Sequence, residues 1–338
     1  MRIAINGFGR IGRLVTRIAS DERDIDVVAI NSSKNTAMLA NLLKHDSVYR
    51  SFDKEVAYDS ESLYINNKRI LIFEERADIT RLPWKDLGIE AVVESTGKFT
   101  KRDDAYKHVV AGCKKVLISA PSKDAEVMVV YGVNHKDISP SHEVISAASC
   151  TTNCLAPVCK VLNDEFGIEK GTMTTVHAYT SDQRLLDGTH KKDPRRARAA
   201  AINMIPTSTG AARAIGKIFP ELEGQLDGIS LRVPVPTASI IDLSVNLRNS
   251  PEISDIKEAF KSYSEGSMRG ILHYSEEPLV SSDIIGSRYS SIVDGQLISK
   301  IQDIYKIFSW YDNEFGYASR IVDLTKFISG GCDPCDRV

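Results

Sequence analysis

The chain has 338 residues, 42% of them hydrophobic and 26% charged, with a formal net charge of −2. That length exceeds what one core usually supports, so two domains are expected, and the composition is that of an ordinary globular protein. Near-neutral charge offers nucleic acid or an anionic membrane no footprint, and no apolar run approaches a bilayer span.

Residues 2–6 (Arg2-Ile3-Ala4-Ile5-Asn6) read at once as a strand, leaving no room for a signal peptide. They run into Gly7, Gly9 and Gly12 of a G-x-G-x-x-G motif, then a helical pattern (Leu14, Val15, Ile18) and a second strand, Ile25 to Asn31. The motif alone is weak, but strand before and helix after are the context in which such glycines bring backbone N–H groups to a pyrophosphate. The competing reading is a glycine turn of packing value only. At the end of the second strand, where an NAD site usually places a carboxylate for the ribose, stands Asn31-Ser32-Ser33-Lys34. Two hydroxyls and a lysine suit a 2′-phosphate, so NADP use, or dual use, is expected here, with a merely solvated Lys34 as the alternative.

Strands at Ala91 to Glu94 and Lys115 to Ala120 flank a helix over Lys101 to Ala111, predicting an open parallel sheet with crossover helices. Beyond about residue 170, long strand-like runs (Gly171 to Tyr179, Leu226 to Leu247, Lys306 to Tyr311) predict a mostly antiparallel sheet with helices on one face. A last helix is expected over Glu314 to Ile328.

Ser149-Cys150-Thr151-Thr152-Asn153-Cys154 precedes apolar residues at helical spacing (Leu155 to Phe166), so Ser149 or Thr151 is expected to cap a helix. Cys150 then sits by unpaired N–H groups and the positive end of the dipole, which favour a nucleophilic thiolate; a small buried core residue is the bland reading. Six irregularly spaced cysteines suit a reducing cytoplasm and not a disulfide framework, and the CxxC of Cys332 and Cys335 lacks a second pair to close a zinc site, so no metal is expected and the tail reads as frayed. His177, ending a strand (Thr175-Val176-His177-Ala178), is a candidate proton partner for Cys150, although seven histidines leave that choice open. Lys191, Lys192, Arg195, Arg196 and Arg198 form a solvated basic loop or a phosphate-binding one. Thr207-Ser208-Thr209-Gly210 before a helix (Ala211 to Phe219) makes an anion site, and Arg232, a lone cation in an apolar strand, calls for an anionic partner, either a substrate phosphate or an internal carboxylate.

GFGRIGR, ESTGKF, ISAPSKD, SCTTNCLAP, TVHAYT, RRARAAA, STGAA, LRVPVP and SWYDNEFGY occur in this order across nearly the whole chain. In these motifs the chain closely resembles phosphorylating glyceraldehyde-3-phosphate dehydrogenases; SCTTNC and WYDNEFGY are specific to that family, GxGxxG is not. The resemblance implies an α/β protein with a Rossmann dinucleotide-binding domain (1–149 and 314–338, the C-terminal helix included) plus an α+β catalytic domain (150–313) with a mostly antiparallel sheet. It implies a cytoplasmic homotetramer acting on a phosphorylated aldehyde and inorganic phosphate, with no nucleic-acid or membrane partner. Cys150 would attack the aldehyde and His177 act as base. Ser149, Thr151, Thr180, Arg196, Thr209, Gly210 and Arg232 match positions that bind the substrate's phosphate and inorganic phosphate. Asn313 matches the residue that holds the nicotinamide carboxamide, and Arg10, Ile11, Arg76, Thr96 and Ser119 match other cofactor contacts.

Two departures bear on cofactor choice. The family's usual aspartate is Ser32 here, and Asp187-Gly188-Thr189 stands where many strictly NAD-dependent bacterial members carry Leu-Pro, in a loop that reaches a neighbouring subunit's adenosine. Small Gly188 and a Thr189 hydroxyl leave room for a 2′-phosphate, so NADP is favoured over NAD. The nearest rival by resemblance is erythrose-4-phosphate dehydrogenase, whose members tend to lose the threonine-rich anion site kept here. A catalytically silent nucleotide-binding or interaction protein is the rival of another class, disfavoured by the intact Cys150, His177 and Arg232.

Overall fold

A computed structural model describes residues 1–330; Cys332 and Cys335 of the tail lie outside them. The chain divides into two compact units, Met1–Ser149 with the chain from Ala318, and Cys150–Tyr317.

The first unit carries β1 (Arg2–Asn6), α1 (Arg10–Ala19), β2 (Asp26–Asn31), α2 (Thr36–Lys44), β3 (Val56–Tyr58), β4 (Ser62–Ile65), β5 (Lys68–Phe73), β6 (Ala91–Glu94), α3 (Arg102–Val110), β7 (Lys115–Ile118), β8 (Val127–Met128) and β9 (Val144–Ser146). Its sheet runs β3-β4-β5-β2-β1-β6-β7-β9-β8. β1, β2, β6 and β7 are nearly continuous apolar runs and are buried, as strands covered on both faces must be. The pairs from β5 to β8 are parallel, but β3-β4-β5 is an antiparallel meander at one edge, which the reading of an all-parallel sheet missed. The signal was present. Asn66 and Asn67, both at positive φ (47° and 65°), make the two-residue turn between β4 and β5, and asparagine tolerates that region better than most residues. The β2–β1–β6 order makes β1 the switch point, where ligands lodge beyond the carboxyl ends of parallel strands.

The second unit carries α4 (Cys150–Phe166), β10 (Ile168–Ala178), β11 (Ile205–Ser208), α5 (Ala211–Ile218), β12 (Leu226–Val233), β13 (Ser239–Leu247), α6 (Ile253–Glu265), β14 (Leu272–Ser275), β15 (Ser291–Asp294), β16 (Ser299–Ile301), β17 (Ile304–Tyr311) and the start of α7 (Phe315–Ile328). Its main sheet is ordered β11-β12-β10-β13-β17-β15-β14, antiparallel except at β10–β12 and β14–β15. The run 226–247, read as one strand-like stretch, is two strands separated by Pro234 and Pro236, which donate no ladder hydrogen bond. In β10 and β13 alternate residues are buried, the period of a sheet covered on one face. α4 lies across β10, β13, β15 and β17. The rest of α7 belongs to the first unit, where Phe327 meets His135 edge-on at 4.9 Å and Lys326 pairs with Glu22 at 2.7 Å.

Candidate active site

Cys150 is the first residue of α4, so Ser149 stands at the cap position the sequence suggested for it. Ala148, two residues earlier, has φ of 55°, a left-handed conformation that costs a residue with a Cβ about 1 kcal/mol or more. The turn from β9 into α4 is therefore held strained just ahead of the sulfur. Cys154 and Cys159, on the same helix, are fully buried, and burial pushes the Cys154 thiol up to about 12. Cys150 is the partly exposed one of the three.

β10 brings the partner. Its two-residue period puts Thr175 and His177 on one face, both buried. His177 Nε2 lies 3.5 Å from Cys150 Sγ. The parallel β10–β12 register sets His177 directly beside Arg232, whose NH1 is 2.6 Å from His177 Nδ1 and 3.0 Å from the Ala178 carbonyl; Nδ1 is itself 2.7 Å from that carbonyl. Below them the buried Tyr311 hydroxyl ties Thr151 Oγ1 (2.9 Å) to Thr175 Oγ1 (2.8 Å), pinning the first turn of α4 to β10 and β17.

Burial, with the Arg232 charge adding to it, lowers the His177 pKa to about 3. The ring is neutral near pH 7 and can accept a proton. The same burial pushes the Cys150 thiol up, opposed first by Arg232 and then by hydrogen bonds from Thr151. The expectation that a helix start suffices to ionise the sulfur is corrected accordingly: desolvation outweighs it, and the nearby guanidinium is the main counterweight.

The other polar candidates are distributed more widely. Arg196 is held by Asp182 at 2.5 Å and donates to Thr207 Oγ1 at 2.7 Å, so an internal carboxylate, the alternative raised for Arg232, is what Arg196 has. Thr180 follows β10, and its N–H reaches Gln183 at 3.2 Å. β11 pairs Ile205 with Arg232 and runs antiparallel, so Thr209 and Gly210 lie further along; their hydrogen bonds are local, to Ala211 N (3.2 Å) and Ala214 N (2.9 Å). Thr151 turns its hydroxyl inward to Tyr311.

Asn313 follows β17. Its Oδ1 accepts from Ser239 Oγ at 3.0 Å and faces Thr237 Oγ1 at 3.5 Å, so the donors of its amide are what it can offer a ligand. Asp312, which sequence reasoning missed, holds it there. The buried Asp312 carboxylate accepts from Glu314 N and Phe315 N (both 2.9 Å), capping α7, and from Thr237 Oγ1 (3.2 Å) and Gly286 N (2.8 Å). An aspartate two residues before a helical run was the available signal.

In the first unit a cleft of about 300 Å³ opens at the switch point, lined by Gly7, Gly9, Ser32, Ser33, Arg76 and Thr96 among others. A Cβ on Gly7 would come within 2.8 Å of Ser95 and Thr96 backbone, and one on Gly12 within 2.1 Å of Gly7 O, whereas one on Gly9 meets nothing within 4 Å. Two glycines therefore allow the close approach of β1, α1 and β6, and the third leaves a lane to the start of α1, where Arg10 and Ile11 are the first residues and no side chain caps the helix. This cradle fits a dinucleotide pyrophosphate. The Arg10 side chain turns to Asp46, so its backbone is what faces a ligand. A chain of buried amides and acids crosses the strand ends: Asn31 Nδ2 donates to Asn6 Oδ1 (2.7 Å), Asn6 Nδ2 to Glu94 (2.5 Å), and Glu94 also accepts from Thr96 N (2.8 Å). Ser119 N–H bonds the Glu94 carbonyl at 2.9 Å. Lys34 is exposed and its N–H bonds Glu74 (3.1 Å), which also pairs with Arg76 at 2.7 Å; this acid was not foreseen among the basic groups. Gly188 and Thr189 are exposed in a loop closed on itself by Gly188 N to Ala197 O (2.9 Å) and Arg184 to Thr189 O (2.8 Å).

Two family models match the chain: glyceraldehyde 3-phosphate dehydrogenase, NAD binding domain, over residues 1–102, and glyceraldehyde 3-phosphate dehydrogenase, C-terminal domain, over 149–313. The chain is 53% identical to the glyceraldehyde-3-phosphate dehydrogenase of Priestia megaterium and 51% identical to that of Geobacillus stearothermophilus, each over 97% of this chain and 98% of the relative. It is also 51% identical to the Mycobacterium avium enzyme, over 97% and 98% of the two chains.

Proposed function

Because the chain belongs to the glyceraldehyde-3-phosphate dehydrogenase family, we propose that it oxidises glyceraldehyde 3-phosphate, with inorganic phosphate and NAD(P), to 1,3-bisphosphoglycerate, reversibly. The observation that carries this reading is the Cys150–His177 pair, 3.5 Å apart at the start of α4, with Arg232 in register beside it. Cys150 Sγ, as thiolate, adds to the aldehyde carbon. Neutral His177 takes the proton of the resulting thiohemiacetal hydroxyl. A bound nicotinamide dinucleotide supplies hydride acceptance. The thioester then left on Cys150 is cleaved by inorganic phosphate, which forms the acyl phosphate and frees the sulfur. Arg232, Arg196, Thr180, Ser149, Thr151, Thr209 and Gly210 are the proposed phosphate ligands, of which Arg232 is nearest the reacting pair. Residues 1–149 and 314–338 are the proposed cofactor domain and 150–313 the catalytic one. Gly7, Gly9, Gly12, Arg10 and Ile11 hold the pyrophosphate, Thr96 and Ser119 line the rest of the site, and Asn313 donates to the carboxamide.

NADP is the proposed preference. β2 ends without a carboxylate, and Ser32, Ser33, Lys34 and Arg76 supply hydroxyl and cationic donors; Glu74, paired with Arg76, works against them. Gly188 and Thr189 would act on a neighbouring subunit's cofactor in a homotetramer, a reading supported by the exposed Leu185, Leu186, Ile202 and Met204 around that loop. The free thiols support a reducing compartment, the cytoplasm, and among the described residues no helix is long and apolar enough to cross a membrane.

Initial rates with glyceraldehyde 3-phosphate, with NAD or NADP and with or without phosphate, test the reading. Phosphate-dependent turnover that Cys150→Ser abolishes is expected; turnover that survives the substitution, or faster oxidation of erythrose 4-phosphate, would defeat it.

A further inference from the structure

Three polar atoms form a tight triangle behind the candidate base: His177 Nδ1, Arg232 NH1 and the Ala178 carbonyl oxygen, separated by 2.6, 2.7 and 3.0 Å. Their roles cannot all be complementary. The carbonyl only accepts and the guanidinium only donates, so Nδ1 faces one of each. If Nδ1 carries the ring proton it serves the carbonyl, and two N–H groups then confront each other across 2.6 Å. If Nδ1 is bare it accepts from the guanidinium, and a lone pair confronts the carbonyl. A cation's N–H toward a lone pair is the stronger contact, because charge-assisted hydrogen bonds are about twice as strong as neutral ones. The docked guanidinium therefore favours the bare Nδ1.

We propose that Arg232 is a positioning residue that sets the tautomer of His177. Docked on Nδ1, as in the structure, it leaves the ring proton on Nε2, pointing at Cys150 Sγ 3.5 Å away. His177 is then a donor to the sulfur, and the charge that compensates a thiolate lies on Arg232. Drawn off by an anion, Arg232 releases Nδ1 to take the proton and donate it to the Ala178 carbonyl. Nε2 then presents its lone pair to the sulfur side and can act as base. The change moves one proton from one ring nitrogen to the other through solvent, with no net gain or loss. It rests on the reading above that Arg232 binds phosphate, and it makes the base available only once that anion is in place.

The neighbours suit such a choice. Cys150, Arg232 and Tyr311 are the titratable groups around the ring; Tyr311, edge-on at 5.9 Å, gives its hydroxyl to Thr151 and Thr175 and does not compete for Nε2. Burial and the Arg232 charge both keep the imidazole neutral, the form in which a tautomer can be chosen.

Neutron diffraction on the wild type, without and with inorganic phosphate, places the ring deuteron directly; iodoacetamide alkylation of Cys150 supplies the solution measurement. Without phosphate the deuteron is expected on Nε2, and with phosphate held by Arg232 on Nδ1. In Arg232→Ala it is expected on Nδ1 without phosphate, with alkylation near pH 7 at least about tenfold slower because the sulfur loses both cation and donor; Arg232→Lys, which keeps the charge, recovers part of that rate. A deuteron on Nδ1 of the wild type without phosphate, on both nitrogens, or on Nε2 in Arg232→Ala would overturn the proposal. If Arg232→Ala moves the proton but phosphate binds elsewhere, the proposed tautomer control stands and the phosphate role assigned to Arg232 fails.

Discussion

Asp312 offers the sharpest test of how the second unit holds its functional groups. Its carboxylate accepts from Glu314 N, Phe315 N, Gly286 N and Thr237 Oγ1 at 2.8–3.2 Å while 1% exposed. Asp312→Ala orphans all four donors. A lost helix cap costs about 1 kcal/mol and hydrogen bonds to a charged group about 1.5–3 kcal/mol each, less than additively, so about 3–5 kcal/mol is expected. Asp312→Asn keeps the Oδ1 acceptor for Glu314, Phe315 and Thr237 and turns an amide N–H2 toward Gly286 N, which limits the loss to about 1–2 kcal/mol. Thermal unfolding followed by circular dichroism should place the alanine variant roughly 10 °C below wild type and the asparagine variant at most about half as far. Because Thr237 and Ser239 also position Asn313, both variants should raise KM for the dinucleotide, alanine more than asparagine. Equal loss in the two variants, or an alanine variant within about 0.5 kcal/mol of wild type, would refute the assignment of Asp312 as cap and tether.

His177 should make stability depend on acid. Its pKa is near 3 folded and 6.5 unfolded, so the unfolded chain binds more protons between these values; stability is full above 6.5 and lost as pH falls through that window. Urea unfolding should lose about 2 kcal/mol between pH 7 and pH 5 from this group, a slope that His177→Gln removes; an unchanged slope would count against the neutral buried ring. Glu74→Gln frees Arg76 from its 2.7 Å ion pair and removes a negative charge, so the kcat/KM ratio for NADP over NAD should rise by about tenfold at low salt and less at high salt. A fall in that ratio would place the 2′-phosphate elsewhere. Gly12→Ala drives a Cβ to 2.1 Å from Gly7 O and should destabilise the protein by about 1–3 kcal/mol, whereas Gly9→Ala, with nothing within 4 Å, should leave stability within about 1 kcal/mol yet weaken dinucleotide binding. Calorimetric titration together with denaturant unfolding separates the two, and equal destabilisation would show that Gly9 is a packing residue.

Strand-helix-strand order around Gly7, Gly9 and Gly12, the two-domain size, the helix after Ser149 and the long strands beyond residue 170 were legible in the sequence, because periodicity and backbone-permissive residues are local properties. The edge meander was overlooked although Asn66 and Asn67 marked its turn. What local pattern could not decide was which polar residues meet. His177 became the partner of Cys150, among seven histidines, through the fold of α4 over β10, and Arg232 reached Nδ1 only because β10 and β12 pair in parallel with those residues in register. The same holds for Asp312 under Thr237 and Gly286, for Glu74 against Arg76, and for Arg196 captured by Asp182. Hydrogen bonding and desolvation act over a few ångströms between groups far apart in the chain. Strand register and helix packing decide those distances, and they decided whether Cys150 is ionised by its helix or held back by its burial.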